Sequence, residues 1–264
     1  MGPPPGVVMT KMARCRHGTF VFFPNEFYIG RSMDVYGEYS EAEAILLTRI
    51  LQPNDYAVEA GSHIGTLTVP MAHRIGDGGL MFAFEPQRVL FEVLCTNAVI
   101  NGLWNIMPYN MAIGERTHTM GVPEINYAEA INFGGLALSE TDGVKVGVIT
   151  IDSLELPHCR LIKADVQGFE QQVLRGAQKT IERCRPFLYV ENEDQTDDIP
   201  ALMRSFGYDT YWHTIPLFNP GNFREHPENI WRSNFVSFNV VGVPVELRDN
   251  PNIKIELEPI RGQA

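Results

Sequence analysis

Residues 56–65 read Tyr56-Ala-Val-Glu-Ala-Gly-Ser-His-Ile-Gly65, and this stretch decides the fold. Its first half is a short apolar run that is typical of a buried strand. Two glycines follow, and then Ile64, Leu67, Met71 and Ile75 recur at helical spacing. The stretch therefore predicts a strand that passes through a glycine turn directly into a helix.

Strands and helices alternate on both sides of this unit. Further strands are predicted at 80–84, 106–112, 146–152, 161–165, 187–190, 208–212 and 235–241, and two short ones within 19–29 around a turn at Pro24 and Asn25. Helices are predicted at 41–51, 64–75, 86–101, 169–184 and 199–206. This alternation predicts an α/β fold with a doubly wound, mostly parallel sheet and helices on both faces.

The composition is that of a globular protein: the chain has 264 residues, of which 44% are hydrophobic and 20% charged. The net charge of −11 disfavours nucleic acid as a partner, because an acidic surface repels phosphates. No apolar run reaches the length of a membrane span, so no membrane partner and a cytoplasmic location are expected. The four cysteines lack metal-binding spacing.

One main domain is expected, with smaller segments at both ends. Residues 1–39 are predicted to form an N-terminal extension and lid segment, 40–245 the ligand-binding domain, and 246–264 a C-terminal tail. Tyr36-Gly-Glu-Tyr39 and the insert at 113–145 are expected to cover the ligand. Within the insert, residues 132–135 are expected to contact a second substrate.

The glycine turn and a later acid predict a nucleoside site. The spacing Gly61-x-x-x-Gly65 differs from the dinucleotide pattern, and Glu59 would repel a pyrophosphate. The same carboxylate attracts the cationic amino acid part of S-adenosylmethionine (SAM). Glu85 ends the second strand, where an acid accepts hydrogen bonds from ribose hydroxyls. The predicted cofactor-binding residues are Glu59, Gly61, Ser62, His63, Gly65, Glu85, Pro86, Asn110 and Asp165.

Polar side chains at the ends of later strands are candidates for catalysis. Asp165 ends one strand, Lys163 points to the same face two residues earlier, and Glu191 ends the next strand. These three are the predicted catalytic residues. Asp165, Glu191 and Asn192 are also oxygen donors suited to Mg²⁺, which predicts a metal site there. His213 is a further candidate base, although a histidine with a structural partner is the favoured interpretation.

The sequence resembles the FkbM family of SAM-dependent methyltransferases. The resemblance covers roughly residues 30–245, and it rests mainly on 58–65, 84–86, Asn97 with Asn101, and the stretch 162–170. Gln167 departs from the family pattern, which usually has an acid there. Asn97 and Asn101 share a helix face with leucines, so buried structural hydrogen bonds are expected from them.

The resemblance implies a class I methyltransferase fold, with seven strands of which one edge strand is reversed. It also implies transfer of a methyl group to a hydroxyl of a sugar, a polyketide or a related natural product. The partner would be a small-molecule or glycan acceptor, and association into a homo-oligomer stays open. Two alternatives also stay open, a non-catalytic domain that binds SAM or another nucleoside and an NAD-dependent oxidoreductase.

Overall fold

The central sheet of the computed structural model follows the predicted alternation. The structure describes residues 10–231, 235–248 and 257–260, so the first nine residues of the predicted extension and most of the predicted tail lie outside the described residues. The strands are β1 Lys11–Cys15, β2 Gly18–Phe22, β3 Tyr56–Ala60, β4 Leu80–Phe84, β5 Ile106–Tyr109, β6 Ala112–Ile113, β7 His118–Val122, β8 Val144–Ile149, β9 Leu161–Ala164, β10 Phe187–Glu191, β11 Tyr208–Pro216, β12 Val236–Pro244 and β13 Glu258–Pro259.

Seven α-helices connect these strands in the described part of the chain. They are α1 Ile29–Val35, α2 Glu41–Ile50, α3 Thr68–Ile75, α4 Arg88–Ile100, α5 Glu170–Arg175, α6 Gln178–Cys184 and α7 Asp198–Ser205, with 3₁₀ turns at Ile151–Leu154 and Val245–Leu247. One apolar core lies between the sheet and α2, α3 and α4. A second core lies on the opposite face, against α5, α6 and α7. None of the described helices combines the length and apolar character needed to cross a membrane.

The main sheet has the order β13-β11-β12-β10-β9-β3-β4-β5. The five strands from β10 to β5 are parallel. The chain runs outward from β3 through β4 to β5 and then returns to β9 on the other side of β3. The prediction of a doubly wound, mostly parallel sheet is therefore confirmed, with its switch point between β3 and β9.

Two details of the sheet differ from those that the resemblance implied. Among the seven longer strands the reversed one is β12, and it lies between β10 and β11 rather than at an edge. It pairs antiparallel with four residues of β10 and with nine residues of β11. The edge strand β13 is antiparallel to its neighbour β11 as well. The sheet also has an eighth strand, because the two-residue β13 pairs with the outer edge of β11.

Of the two strands predicted within 19–29, the first is present as β2 and the second is absent from this described segment. The N-terminal hairpin turns earlier, between β1 and β2, and the chain leaves it at Phe22. The carboxylate of Glu26 then accepts hydrogen bonds from the backbone N–H groups of Tyr28 (3.1 Å) and Gly30 (2.7 Å). These bonds satisfy donors at the start of α1, so the segment continues as a helix and not as a strand.

Local contacts also divide two elements that the sequence predicts as continuous. The strand predicted at 106–112 separates into β5 and β6, and β6 belongs to a second sheet of order β6-β8-β7. The helix predicted at 169–184 breaks at Gly176, whose carbonyl oxygen accepts from the Asp152 N–H at 3.0 Å. The Asp152 carboxylate then accepts from the N–H groups of Lys179 and Thr180 and so begins α6.

Candidate functional site

The carboxyl ends of β3, β4, β9 and β10 surround a cavity of about 320 Å³ at the switch point of the sheet. Small-molecule sites of α/β sheets lie at this position. Most of the predicted site residues line the cavity, namely Glu59, Gly61, Ser62, His63, Glu85, Pro86, Lys163, Asp165 and Glu191. The residues predicted from the sequence therefore lie at the edge of the sheet where the cavity is found.

Gly61 and Gly65 shape the turn through contacts inside the protein. Gly61 has a φ of +84°, and a Cβ there would lie 1.9 Å from the carbonyl oxygen of Asp165. Gly65 has a φ of +85°, and a Cβ there would lie 2.7 Å from the side chain of Leu94. The first glycine therefore lets β3 and β9 approach each other where they end, and the second lets the turn pack on α4. Gly65 lies outside the cavity lining.

Glu85 is held in place by the glycine turn and by the start of the following helix. Its carboxylate accepts hydrogen bonds from the backbone N–H groups of His63 (2.8 Å) and Gln87 (2.9 Å). Burial raises the pKa of Glu85 to about 7, although both backbone hydrogen bonds act in the opposite direction. A carboxylate oriented in this way keeps lone pairs for hydroxyl donors of a ligand.

His63 is a polar side chain without a partner inside the cavity. The residue is only 8% exposed, and neither ring nitrogen has a hydrogen-bond partner among the described residues. Burial lowers the pKa of His63, so the ring is neutral near pH 7. Buried polar atoms are nearly always hydrogen-bonded, so the orphaned nitrogens indicate that a ligand completes this part of the cavity.

Lys163 lies between three carboxylates in the floor of the cavity. Its ammonium nitrogen is 3.7 Å from Glu59, 3.8 Å from Glu43 and 3.6 Å from Asp165. Burial alone would lower the pKa of Lys163, but the carboxylates of Asp165, Glu43 and Glu59 raise it above its ordinary value. The lysine is therefore a permanent cation, which supports the neighbouring acids and is unable to act as a base.

Glu59 has a hydrogen-bond partner in addition to its ion pair with Lys163. Its carboxylate accepts a hydrogen bond of 2.5 Å from the Thr68 hydroxyl, and burial raises its pKa. The residue therefore combines a structural ion pair with a position on the cavity wall.

Asp165 and Glu191 form a pair of acids that Gln167 connects. The Gln167 amide donates to Glu191 at 2.9 Å, and it lies 3.4 Å from Asp165. Burial, followed by the charge of Asp165, raises the pKa of Glu191 well above its ordinary value. The Asp165 side chain is 40% exposed toward the cavity. A raised pKa makes Glu191 a stronger proton acceptor than an ordinary carboxylate.

Besides Gly65, two predicted residues, Asn110 and Asn192, lie outside the cavity lining. The Asn110 amide donates to the carbonyl oxygens of Glu85 (2.9 Å) and Pro86 (3.0 Å), so it fixes the end of β4. The Asn192 amide donates to the carbonyl oxygen of Thr196 at 2.9 Å, so the structure does not group it with Asp165 and Glu191. Among the residues that the structure describes, no group of three His, Cys, Asp or Glu side chains is arranged to hold a metal ion.

His213 has a structural partner, as favoured above. Its Nδ1 lies 3.0 Å from the hydroxyl of Tyr189, and burial lowers its pKa to about 4. It also lies outside the cavity lining.

Parts of the predicted lid segments are anchored in the protein. Tyr36 is buried in a small apolar cluster, and Glu38 accepts from Arg16 at 2.6 Å. In the insert, Asn132 and Gly134 line the cavity, whereas the ring of Phe133 is fully buried beside Phe23.

Several cavity residues escaped the sequence analysis. Glu193 lies two residues after Glu191 and lines the cavity, as do Tyr28 and Phe235. Glu43, on α2, lies behind the lining, 3.8 Å from the ammonium nitrogen of Lys163, and burial raises its pKa to about 7. These residues come from distant parts of the chain, so periodicity carries no signal for them. Of these residues, only Glu193 could have been predicted from the sequence, because it lies two residues after the end of β10.

The switch-point cavity, the glycine turn and the strand-end acids together define a class of protein, the Rossmann-like SAM-dependent methyltransferases. The sequence matches the methyltransferase FkbM domain over residues 59–210, more than half of its length, and the chain belongs to that family. No curated protein matches the sequence.

Several solved structures are similar to this chain at low sequence identity. A methyltransferase FkbM from Methylobacillus flagellatus KT is 16% identical, with a TM-score of 0.48 over 72% of this chain, which spans 44% of that protein. A precorrin 8w decarboxylase from Methanobacterium thermoautotrophicum is 16% identical, with a TM-score of 0.49 over 84% of this chain and 98% of that one. A precorrin-6y C5,15-methyltransferase from Geobacter metallireducens GS-15 is 9% identical, with a TM-score of 0.48 over 76% and 88%. At these values the likeness carries no information about the acceptor.

Proposed function

We propose that the protein transfers a methyl group from SAM to a hydroxyl of a sugar, a polyketide or a related small molecule. The proposal rests on one observation: two different sets of polar side chains line the same cavity. Glu85 and the orphaned His63 form one wall, and the acids Asp165 and Glu191 form another. The first set suits a nucleoside, and the second suits removal of a proton from an acceptor.

The residues present fit a nucleoside that carries an amino acid and no phosphate. Glu85 would accept hydrogen bonds from the ribose hydroxyls, and Glu59 is placed to attract the ammonium group. The ring nitrogens of His63 would take a polar atom of the same ligand. Lys163 is the single Lys or Arg among the described residues that line the cavity, which makes a pyrophosphate a poor fit.

The chemistry then requires alignment and a base. When bound, SAM supplies a methyl group on a sulfonium, and the electrons of the broken C–S bond stay on sulfur. Glu191 takes the proton of the acceptor hydroxyl, and Asp165 holds that hydroxyl toward it. Alignment contributes up to roughly 7–11 kcal/mol in ideal cases. A positioned base adds about 10²–10⁴-fold.

Calorimetry and turnover with the full chain test this proposal. S-adenosylhomocysteine (SAH) and SAM are expected to bind, and NAD⁺ is expected not to bind, which separates the dinucleotide alternative. Transfer of labelled methyl from SAM to a panel of sugars and polyketides separates an enzyme from a non-catalytic binding domain. Absence of heat with both SAM and SAH would contradict the proposal.

Two substitutions test the roles of the acids. Asp165→Asn and Glu191→Gln are expected to lower turnover by about 10²–10⁴-fold while SAH affinity stays within about threefold, because the two acids act on the acceptor. Glu140→Gln is the matched control, since Glu140 is exposed and lies outside the cavity lining. Unchanged turnover in both variants would remove the acids from the mechanism.

The magnesium prediction has no support from the arrangement of Asn192. It nevertheless has a direct test, because dialysis against a chelator would abolish turnover if Mg²⁺ took part. We expect turnover to survive this treatment, since the Gln167 amide already donates to the two acids that would have to ligate the ion.

A further inference from the structure

The charges on the cavity wall are unbalanced. Five carboxylates line it, from Glu59, Glu85, Asp165, Glu191 and Glu193, against Lys163 as the one lining cation among the described residues. That ammonium group already lies near Glu43, Glu59 and Asp165. Neither Glu191 nor Glu193 forms an ion pair with a described lysine or arginine. The wall therefore carries a negative charge at Glu193, an exposed residue, that no described lysine or arginine balances.

Two aromatic rings lie on the same cavity wall as Glu193. Tyr28 and Phe235 both line the cavity, and their ring centroids are 5.5 Å apart. Glu193 is close to Tyr28, because its charge contributes, after burial, to the raised pKa of that residue. The Glu193 carboxylate also accepts from the backbone N–H of Phe238 at 3.4 Å, three residues after Phe235. Phe235 is 45% exposed, so one of the rings is open to a bound molecule.

The side chain of His63 indicates that the same cavity is a binding site. His63 is more than nine-tenths buried, lines the cavity and has no partner for either ring nitrogen among the described residues. Glu193 and the two rings therefore line a binding cavity, in which His63 lies on the side proposed for the nucleoside.

We propose that the acceptor is a hydroxyl compound that also carries a protonated amine, and that Glu193 and the rings of Tyr28 and Phe235 hold its ammonium group. This inference rests on the proposed methyl transfer and names the class of its acceptor. An ammonium group supplies the counter-charge that Glu193 lacks. The faces of aromatic rings attract the same cation. A carboxylate or phosphate on the acceptor would instead meet like charges.

Three phenols of nearly equal size test the charge preference. Tyramine carries an ammonium group, tyrosol a neutral hydroxyl and 3-(4-hydroxyphenyl)propionate a carboxylate. Each is titrated calorimetrically into the full chain saturated with SAH. Tyramine is expected to bind at least tenfold more tightly than tyrosol, and the propionate more weakly than both. Raising the salt concentration is expected to reduce the advantage of tyramine.

Two variants separate the acid from the ring. Glu193→Gln is expected to bring tyramine to within about twofold of tyrosol without changing the affinity for tyrosol. Phe235→Leu keeps an apolar side chain but removes the ring, and it is expected to weaken tyramine severalfold more than tyrosol. Glu140→Gln, as the matched control, leaves all three affinities unchanged.

The outcomes distinguish this inference from the proposed function. If SAH itself fails to bind, the methyltransferase proposal fails first. If SAH binds but tyramine shows no advantage over tyrosol, or does not bind, the amine-bearing acceptor is excluded while the methyltransferase proposal stands.

Discussion

Lys163 is the residue on which the neighbouring acids depend most. It is 2% exposed, and three carboxylates lie within 4 Å of its ammonium nitrogen. The sequence predicted its position on the correct face of β9, but it also proposed a catalytic role. The structure assigns it the role of a counter-ion that allows Glu43 and Glu59 to be buried.

Lys163→Met is therefore expected to destabilise the protein by about 3–5 kcal/mol, because it leaves buried carboxylates without their cation. Urea unfolding at pH 7.5 measures this change. Lys179→Met is the matched control, since Lys179 is exposed on α6, and it should change the free energy of unfolding by less than about 0.5 kcal/mol. Equal stability of the two variants would show that Lys163 is not the required counter-ion.

Gln167 controls the charge of the Asp165–Glu191 pair. Its amide donates a hydrogen bond to Glu191 at a position where the family usually has an acid. A third carboxylate here would make ionisation of Glu191 harder.

Gln167→Glu is thus expected to move the rising limb of the turnover–pH profile to higher pH by about one pH unit or more, because Glu191 must be ionised to accept a proton. The profile is measured with saturating SAM. Gln178→Glu, on the exposed face of α6, adds the same charge at a distance and should leave the limb in place. A limb that does not move in Gln167→Glu would argue against Glu191 as the base.

Asn97 and Asn101 attach the N-terminal hairpin to α4, as their placement on the leucine face predicted. Asn97 accepts from the Val21 N–H at 2.7 Å and donates to the carbonyl oxygens of Val21 (3.0 Å) and Ile64 (2.8 Å). Asn101 bonds both backbone groups of Thr19 in the same way. The two amides thus take the place of a neighbouring strand for β2 and also support the glycine turn.

Removing one of these amides should loosen the whole hairpin. Asn97→Ala is expected to cost about 2–4 kcal/mol, since it leaves buried backbone groups of Val21 and Ile64 without partners. Thermal and urea unfolding measure the loss. Thr96→Ala, one residue earlier and on the outer face of α4, should cost less than about 1 kcal/mol. Similar losses in both variants would contradict this account of the hairpin.

The elements that the sequence predicted are those whose residues determine them locally. β3, β4, β9 and β10 follow from short apolar runs, and the ends of α4 and α7 follow from Gly102 and Gly207. The hairpin and the break between α5 and α6 depend instead on Asn97 and Asp152, which lie far away along the chain. The acids at strand ends were predicted because the local sequence shows where a strand ends. Tyr28, Glu43 and Phe235 were missed because residues distant along the chain bring them to the site.

Buried acids also make the stability of the whole molecule depend on pH. Burial raises the pKa of both Glu43 and Glu85 to about 7 in the folded state, against an ordinary value of 4.5. Between these values the folded state binds more protons than the unfolded state. The contribution of each group to stability is therefore fully present below pH 4.5 and is lost as the pH rises toward 7, by roughly 3 kcal/mol at most.

Glu43→Gln is expected to flatten this dependence, because it removes one of the two groups. The free energy of unfolding is measured by urea titration between pH 5 and 7.5. Its fall over this range should be smaller in the variant by up to about 1.4 kcal/mol per pH unit. Glu140→Gln should retain the slope of the parent protein. An unchanged slope in Glu43→Gln would show that Glu43 is already ionised in the folded state.

Phe133 affects how ligands can enter and leave the cavity. Its ring is fully buried, and its carbonyl oxygen accepts from the Gln87 side chain at 2.6 Å, so the insert is fastened beside the end of β4. Swinging this segment outward would expose the phenyl ring at a cost of about 2–3 kcal/mol. The segment is therefore expected to stay in place while a ligand enters or leaves the cavity.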